Sequence, residues 1–318
     1  MARPAHTLPR LRGRWTAFAA GALAVLALAG CGGSGRASNP SAPVGSCPAT
    51  PLKVVVTTNV WASVVDQLSG ACAEVVTVVS SAAGDPHDFE PTAATAATFA
   101  AADVAVMNGL GYDSWALRIV ASLGSAAPTV VNLGEAVGLR VGDNPHIWYS
   151  PTYVQQAAAA LTSTLRGLSP AAAGSFDVQA RQFAQALLPY LGKVAELKRR
   201  YLGADIGATE SLFDYLARAC GLNITTPPGF LAAQSSGAEP TPRDVQVFRR
   251  QLSDGTDQAL IYNVQTDGAL PQQLRAIAAS HDVPVVNITE TLVPAGTSFQ
   301  DWQLAQLDEL SNALSRSR

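Results

Sequence analysis

The stretch Gly84-Asp85-Pro86-His87-Asp88-Phe89-Glu90-Pro91-Thr92 follows the run Val75-Val76-Thr77-Val78-Val79 and precedes an alanine-rich segment from Ala93 to about Ala102. The β-branched run indicates a buried strand, and the alanine-rich segment indicates a helix. His87 therefore lies in a turn at the end of a strand, stiffened by two prolines. Open α/β sheets bind their ligands at this position.

The same alternation of strand and helix continues along the chain. Further strands are predicted at residues 52–57, 103–107, 129–133, 258–263 and 283–288. Helical patterns lie between them, which predicts an α/β fold with doubly wound, mostly parallel central sheets. A long helical segment, 169–201, has α/β pattern on both sides. The sequence thus predicts an N-terminal lobe over 51–168, a linking helix over 169–201, and a C-terminal lobe over 202–318.

The first 31 residues have the features of a secretory signal. Four arginines and no acidic residue precede an apolar run from about Trp15 to Ala29, which is too short for a stable membrane span. The run ends in Leu28-Ala29-Gly30-Cys31, which matches a bacterial lipobox. We expect Cys31 to be the lipid attachment site, with residues 32–50 as a flexible Gly/Ser/Pro tether. An ordinary signal with a chance cysteine is the alternative.

The charge of the chain bears on the kind of partner that it can bind. Without the four leader arginines, the chain carries 17 basic and 24 acidic residues, a net charge of about −7. It has no basic stripe with interleaved aromatic residues, so a nucleic-acid partner is not expected.

Three cysteines remain after Cys31. Cys47 and Cys72 each come just before a predicted strand, and an extracytoplasmic location permits a disulfide between them. Cys220 is expected to be a buried free thiol on an apolar helical face.

Two of the four histidines share one architectural position. His146 lies in Asn144-Pro145-His146-Ile147-Trp148-Tyr149-Ser150-Pro151, a second rigid loop between prolines, comparable to the loop of His87. His6 belongs to the leader, and His281 is expected at the surface. A single such histidine is usually a capping or surface residue, but two favour a shared site.

Glu210 and Glu290 are candidate partners from the second lobe, although each alone could be a solvated glutamate. Two imidazoles and two carboxylates can bind a first-row divalent cation, because the carboxylates balance the charge of the metal. Mixed nitrogen and oxygen donors suit Zn, Mn or Fe(II).

At this point the chain resembles a known family. The two histidine motifs, together with Thr209-Glu210-Ser211-Leu212-Phe213-Asp214-Tyr215-Leu216, resemble the metal-binding solute receptors of bacterial zinc and manganese ABC importers. The resemblance covers the chain from Lys53 to Leu314. It implies two α/β lobes joined by one long rigid helix, with the metal in the cleft between them. It also implies four ligands, here His87, His146, Glu210 and Glu290.

Two departures from the family bear on the metal. Zinc members usually carry histidine at the position of Glu210, whereas manganese members more often carry glutamate. The last ligand is usually aspartate, and Glu290 is one methylene longer. Two carboxylates make the set of donor atoms harder in the sense of hard and soft ligands, which slightly favours manganese over zinc.

The resemblance implies a monomeric, lipid-anchored receptor outside the cytoplasmic membrane. Such a receptor would deliver a divalent metal ion (Mn²⁺ or Zn²⁺, with Fe²⁺ as a further candidate) to an ABC permease and its ATPase. Metal binding is expected to weaken below about pH 6.5, where histidines become protonated.

Other functions remain open on the sequence. A metal-dependent extracytoplasmic hydrolase would use similar donors, but HExxH, GxSxG and catalytic cysteine motifs are lacking, so the chain is not expected to be an enzyme. A surface adhesin could keep the same fold without transport. A receptor for a larger solute, such as a siderophore, would need an aromatic-lined cleft that neither histidine loop requires.

Overall fold

The first lobe is built on a four-stranded parallel sheet. The computed structural model describes residues 45–80, 89–266 and 268–316. The strands are β1 (Leu52–Thr58), β2 (Ala73–Val79), β3 (Val104–Met107) and β4 (Thr129–Asn132), in the spatial order β2-β1-β3-β4. The helices of this lobe are α1 (Asn59–Ser69), α2 (Ala93–Ala100), α3 (Ser114–Leu123) and the single turn α4 (Leu133–Ala136).

The second lobe repeats this architecture. Its parallel strands are β5 (Asp205–Ala208), β6 (Asn223–Ile224), β7 (Leu260–Asn263) and β8 (Val285–Ile288), in the order β6-β5-β7-β8. Three helices of this lobe are α8 (Asp214–Ala219), α9 (Pro228–Ser235) and α10 (Pro242–Ser253). The last two helices are α11 (Ala269–Ser280) and α12 (Phe299–Arg316).

Three consecutive helices connect the two sheets. They are α5 (Pro151–Leu168), α6 (Ala173–Ala186) and α7 (Leu188–Tyr201). The segment predicted as one linking helix over 169–201 is helical but is divided at Leu187. Pro189 lies in the first turn of α7, where its missing N–H leaves the carbonyl four residues earlier without a helical partner. α6 packs against α1 and α5, whereas α7 packs against α12.

Side chains alternate across each sheet, because successive residues of a strand point to opposite faces. In β1, Val54 and Val56 enter a large central core, whereas Val55 packs on the outer face with Phe99 and Trp115. In the second lobe, Leu260 of β7 belongs to an outer cluster with other apolar side chains. The central core contains residues of both lobes, so the two lobes share buried apolar contacts.

Polar contacts also join the lobes. The buried Tyr149 hydroxyl lies 2.7 Å from the carbonyl of Thr289 and 2.8 Å from Gln306 Oε1. Asn59 and the backbone of Leu292 exchange two hydrogen bonds. The shared core and these hydrogen bonds join the two lobes.

A disulfide joins Cys47 to Cys72, the pair predicted from sequence, with their Cα atoms 5.0 Å apart. The parallel register pairs Leu52 with Ala73, which brings the segments before β1 and β2 together. Cys220 is a free, buried cysteine, and burial raises the pKa of its thiol to about 12.

The structure confirms the α/β class and the two parallel sheets. Two strands of the second lobe, β5 and β6, were not predicted. The segment 225–240 contains α9. Among the described residues, no helix is both long enough and apolar enough to cross a membrane.

Candidate metal site

The carboxyl ends of several strands meet between the two lobes. Tyr112 lies in the turn after β3, Glu210 follows β5, Asn263 ends β7, and Glu290 follows β8. His146 comes from the loop before the short 3-10 helix Ile147–Tyr149. The carboxyl ends of parallel strands are the usual ligand-binding edge of such sheets.

The ring orientation and tautomer of His146 are fixed by Asn144. Asn144 Oδ1 accepts a hydrogen bond from the backbone N–H of His146 at 3.0 Å and lies 2.8 Å from Nδ1 of the ring. The amide nitrogen of Asn144 donates to the carbonyl of Ser211 at 2.7 Å, which sets the orientation of the amide. Because the amide oxygen can only accept, Nδ1 carries a hydrogen, so that Nε2 is the ring nitrogen left to bind a metal through its lone pair.

Glu290 is the closest acidic partner described for this ring. Its Oε2 lies 3.7 Å from His146 Nε2 and accepts a hydrogen bond from the Tyr112 hydroxyl at 3.0 Å. Oε1 accepts from the Asn263 amide at 3.0 Å. The backbone N–H of Glu290 donates to Gln265 Oε1 at 2.6 Å. Glu290 is only 2% exposed. Each of its two carboxylate oxygens accepts a hydrogen bond, which fixes the orientation of the carboxylate.

The Tyr112 ring also packs against two other rings of the site, those of His146 and Trp148. Its ring lies 6.2 Å from the His146 ring and 5.1 Å from the Trp148 ring, between centroids, both in edge-to-face geometry. Trp148 in turn contacts His146 at 5.3 Å. These ring contacts help to bury His146, which is 5% exposed, and electrostatic interactions are stronger in such a low-dielectric environment.

Glu210 lies at the start of the short 3-10 helix Ser211–Phe213. Its Oε2 accepts from the Asn263 amide at 3.2 Å, while its Oε1 is buried without a hydrogen-bond partner among the described residues. Burial raises the pKa of Glu210; the polar groups of Thr266 and Asn263 oppose this rise, and the carboxylate of Glu290 adds to it. A cation beside these two glutamates would relieve both the burial cost and their mutual repulsion.

The structure brings three of the four predicted ligands into one neighbourhood: His146, Glu210 and Glu290. His87 and Cys31 lie outside the described residues. Within the described ranges, no group of three or more His, Cys, Asp and Glu side chains is close enough to hold a metal ion.

Two polar neighbours were not singled out from sequence. Tyr112 follows the predicted strand 103–107, and Asn263 is the last residue of the predicted strand 258–263. A polar residue ending a buried strand, as in Leu260-Ile261-Tyr262-Asn263, is the signal that could have found Asn263.

Comparisons with known proteins agree with this architecture. Residues 54–313 match the family described as ZnuA, zinc-uptake complex component A, periplasmic. The iron-binding protein YfeA of Yersinia pestis is 25% identical over 182 residues, which cover 54% of this chain and 57% of YfeA. The manganese-binding lipoprotein MntA of Halalkalibacterium halodurans is 26% identical over 143 residues, covering 43% of this chain and 46% of MntA.

A solved structure shows the same fold over nearly the whole described chain. The SBP FpvC from Pseudomonas aeruginosa, in complex with Mn²⁺, superposes with a TM-score of 0.70 at 22% identity. The superposition covers 85% of this chain and 100% of that one. By contrast, the matched sequence segments span only about half the length of the two curated relatives.

Proposed function

The chain belongs to the zinc-uptake complex component A family, and on that premise we propose that it is an extracytoplasmic receptor that captures a divalent transition metal. The observation that carries this proposal is the approach of His146 Nε2 to Glu290 Oε2, 3.7 Å apart. A nitrogen and an oxygen that bind one metal at about 2.1 Å each lie roughly 3–3.5 Å apart, depending on the angle at the metal. A small adjustment of these side chains therefore suffices to place a cation between the two lobes.

The proposed ligands are His87, His146, Glu210 and Glu290. The fixed tautomer of His146 supports its role, because a ligating histidine commonly bonds its other nitrogen to an oxygen acceptor that orients the ring. Asn144 Oδ1 is that acceptor. The buried Glu210 Oε1, which accepts no hydrogen bond from a described residue, supports a cation as its partner.

The cargo is proposed to be Mn²⁺ or Zn²⁺, with Fe²⁺ also compatible with the donors. Two imidazoles and two carboxylates form a neutral complex with a dication. Affinity for such donors rises from Mn²⁺ through Fe²⁺ to Zn²⁺. Metal supply and the geometry of the site then decide which metal is carried.

Delivery and anchoring are parts of the same proposal. We infer that Cys31 is lipidated, that the tether 32–50 lets a monomeric receptor reach an ABC permease with its ATPase, and that the protein is not an enzyme. The lobes share a core and reciprocal hydrogen bonds, which supports release by small lobe movements. Loss of radiolabelled palmitate incorporation in the Cys31→Ser variant tests the anchor.

Calorimetric titration of the chelator-treated protein with Mn²⁺ and with Zn²⁺, separately, tests the function. We expect binding at one ion per chain, and at least a hundredfold loss of affinity in His146→Ala because a ligand is removed. His281→Ala is the matched control: this histidine is exposed at the end of α11, so its removal should leave the titration unchanged. Absence of binding by the unaltered protein would refute the receptor function and leave the adhesin alternative. Metal-restored hydrolytic turnover would instead favour the hydrolase.

A further inference from the structure

Asn263 occupies a special position in the second sheet. In the order β6-β5-β7-β8, strand β7 lies between the strand that leads to Glu210 and the strand that leads to Glu290. Asn263 is the last residue of β7 and is only 1% exposed. The strand order therefore places Asn263 between the two strand ends that lead to the carboxylates.

The hydrogen bonds of Asn263 join the two glutamates. Its Nδ2 lies 3.0 Å from Glu290 Oε1 and 3.2 Å from Glu210 Oε2. The hydroxyl of Thr266 is a third neighbour at 2.9 Å. Its Oδ1 accepts from the backbone N–H of Gln265 at 3.0 Å, which fixes the orientation of the amide. A primary amide has two N–H donors and no charge, so these three acceptors share two hydrogens, and the amide contacts both carboxylates without adding to their repulsion.

The Asn263 amide donates a hydrogen bond to one carboxylate oxygen of each glutamate and none to the other oxygen. The remaining oxygens are Glu210 Oε1, which is buried, and Glu290 Oε2, which faces His146 and accepts a hydrogen bond from the Tyr112 hydroxyl. Each hydrogen bond from the amide fixes the rotation of a carboxylate. Turning that carboxylate so that both of its oxygens face a cation would weaken the bond to the amide.

We propose that Asn263 is a positioning residue that restricts Glu210 and Glu290 to one metal-binding oxygen each, and thereby favours Zn²⁺ over Mn²⁺. This inference rests on the proposed function. Zn²⁺ is satisfied by four donors in a tetrahedral arrangement, whereas Mn²⁺ prefers more oxygen donors and octahedral geometry. A site that withholds the second oxygen of each glutamate penalises Mn²⁺ more than Zn²⁺.

The central experiment compares Asn263→Ala with the unaltered protein. Competition titrations give the ratio of the Mn²⁺ and Zn²⁺ dissociation constants. Because residues that orient metal ligands typically change metal affinity by about 10–100-fold, we expect this ratio to fall about tenfold or more in favour of Mn²⁺. Visible absorption of the Co²⁺-loaded protein should weaken, since freed carboxylates permit a higher coordination number.

Asn287→Ala is the matched control. Asn287 lies on the neighbouring strand β8, and its amide is bonded to Glu309 rather than to a proposed ligand. The control should leave both the ratio and the Co²⁺ spectrum unchanged. Urea unfolding of the metal-free proteins monitors any general loss of stability.

The outcomes separate the inference from the proposed function. If the unaltered protein binds neither metal, the receptor function is refuted. If it binds both and Asn263→Ala weakens both equally or has no effect, only the role of Asn263 is refuted. Should Asn263→Ala fail to fold, X-ray absorption spectroscopy of the unaltered Zn²⁺-loaded protein decides. One-oxygen binding by each carboxylate supports the inference, and two-oxygen binding overturns it.

Discussion

Replacing Asp257 with asparagine is expected to stabilise the protein at neutral pH. Asp257 precedes β7 and is 1% exposed. Its Oδ1 accepts a hydrogen bond from the Thr225 hydroxyl, but Oδ2 is buried without a hydrogen-bond partner among the described residues. Burial raises the pKa of Asp257 from 3.8 to about 6; the Thr225 hydroxyl opposes this shift, and the nearby charges of Asp205 and Asp254 add to it.

The direction of the pH effect follows from proton linkage. Because the pKa of Asp257 is higher in the folded state, the folded state binds more protons between about pH 3.8 and 6. The contribution of Asp257 to stability is therefore greatest below pH 3.8 and falls as pH rises through 6. A shift of about 2 pKa units corresponds to about 3 kcal/mol at 1.36 kcal/mol per unit.

Urea unfolding of both proteins at several pH values from 4 to 7.5 provides the assay. Asp257→Asn should raise the free energy of unfolding by about 2–3 kcal/mol at pH 7.5, with the difference shrinking towards pH 4. Asp254→Asn is the control: Asp254 is exposed, and hydrogen bonds from Thr256 lower its pKa, so no comparable gain is expected. A difference for Asp257→Asn that does not vary with pH, or a loss of stability at pH 7.5, would refute the reasoning.

Two further predictions concern stability. Replacing Cys47 and Cys72 with serine together should lower the free energy of unfolding by about 3 kcal/mol, because the disulfide closes a loop with a sequence separation of 25 residues; urea unfolding measures this, and an unchanged midpoint would contradict it. Tyr149→Phe should destabilise by about 1–3 kcal/mol, since it removes the buried hydroxyl that bonds to Thr289 of the other lobe. Thermal unfolding checks this, with Tyr153→Phe, whose hydroxyl makes none of these bonds between the lobes, as the comparison.

The sequence predicted the long, strongly patterned elements well. Strand β1 and helix α1 were found because β-branched runs and 3.6-residue periodicity survive without tertiary information. Strand β5, Asp205–Ala208, was missed because it is short and contains a glycine, which disfavours a strand. The structure explains this glycine: a Cβ at Gly207 would lie 2.7 Å from the ring of Phe248. A requirement set by a residue 41 positions away cannot be read from local pattern.

In the candidate site, too, some residues could be predicted from local sequence and others could not. His146, Glu210 and Glu290 were predicted because donor residues at strand ends in recognisable motifs carry their own signal. Asn263 and Tyr112 were not, because their significance depends on strand order and on contacts between lobes. Tyr112 and Glu290 lie 178 residues apart in sequence, yet their side chains form a 3.0 Å hydrogen bond. Such pairings are known only once the topology is known.

The packing of α12 against the first lobe has a consequence for the order of folding. Gln300 exchanges two side-chain hydrogen bonds with Gln67 of α1, and the backbone of Phe299 donates to Ser63. Phe299 is itself fully buried in the central core. A polypeptide that emerges amino end first from a ribosome or a translocation channel therefore cannot close its core until residues 299–316 are released. Until then the central core lacks the apolar side chains of α12, and exposed apolar surface of this kind promotes aggregation of a nascent chain.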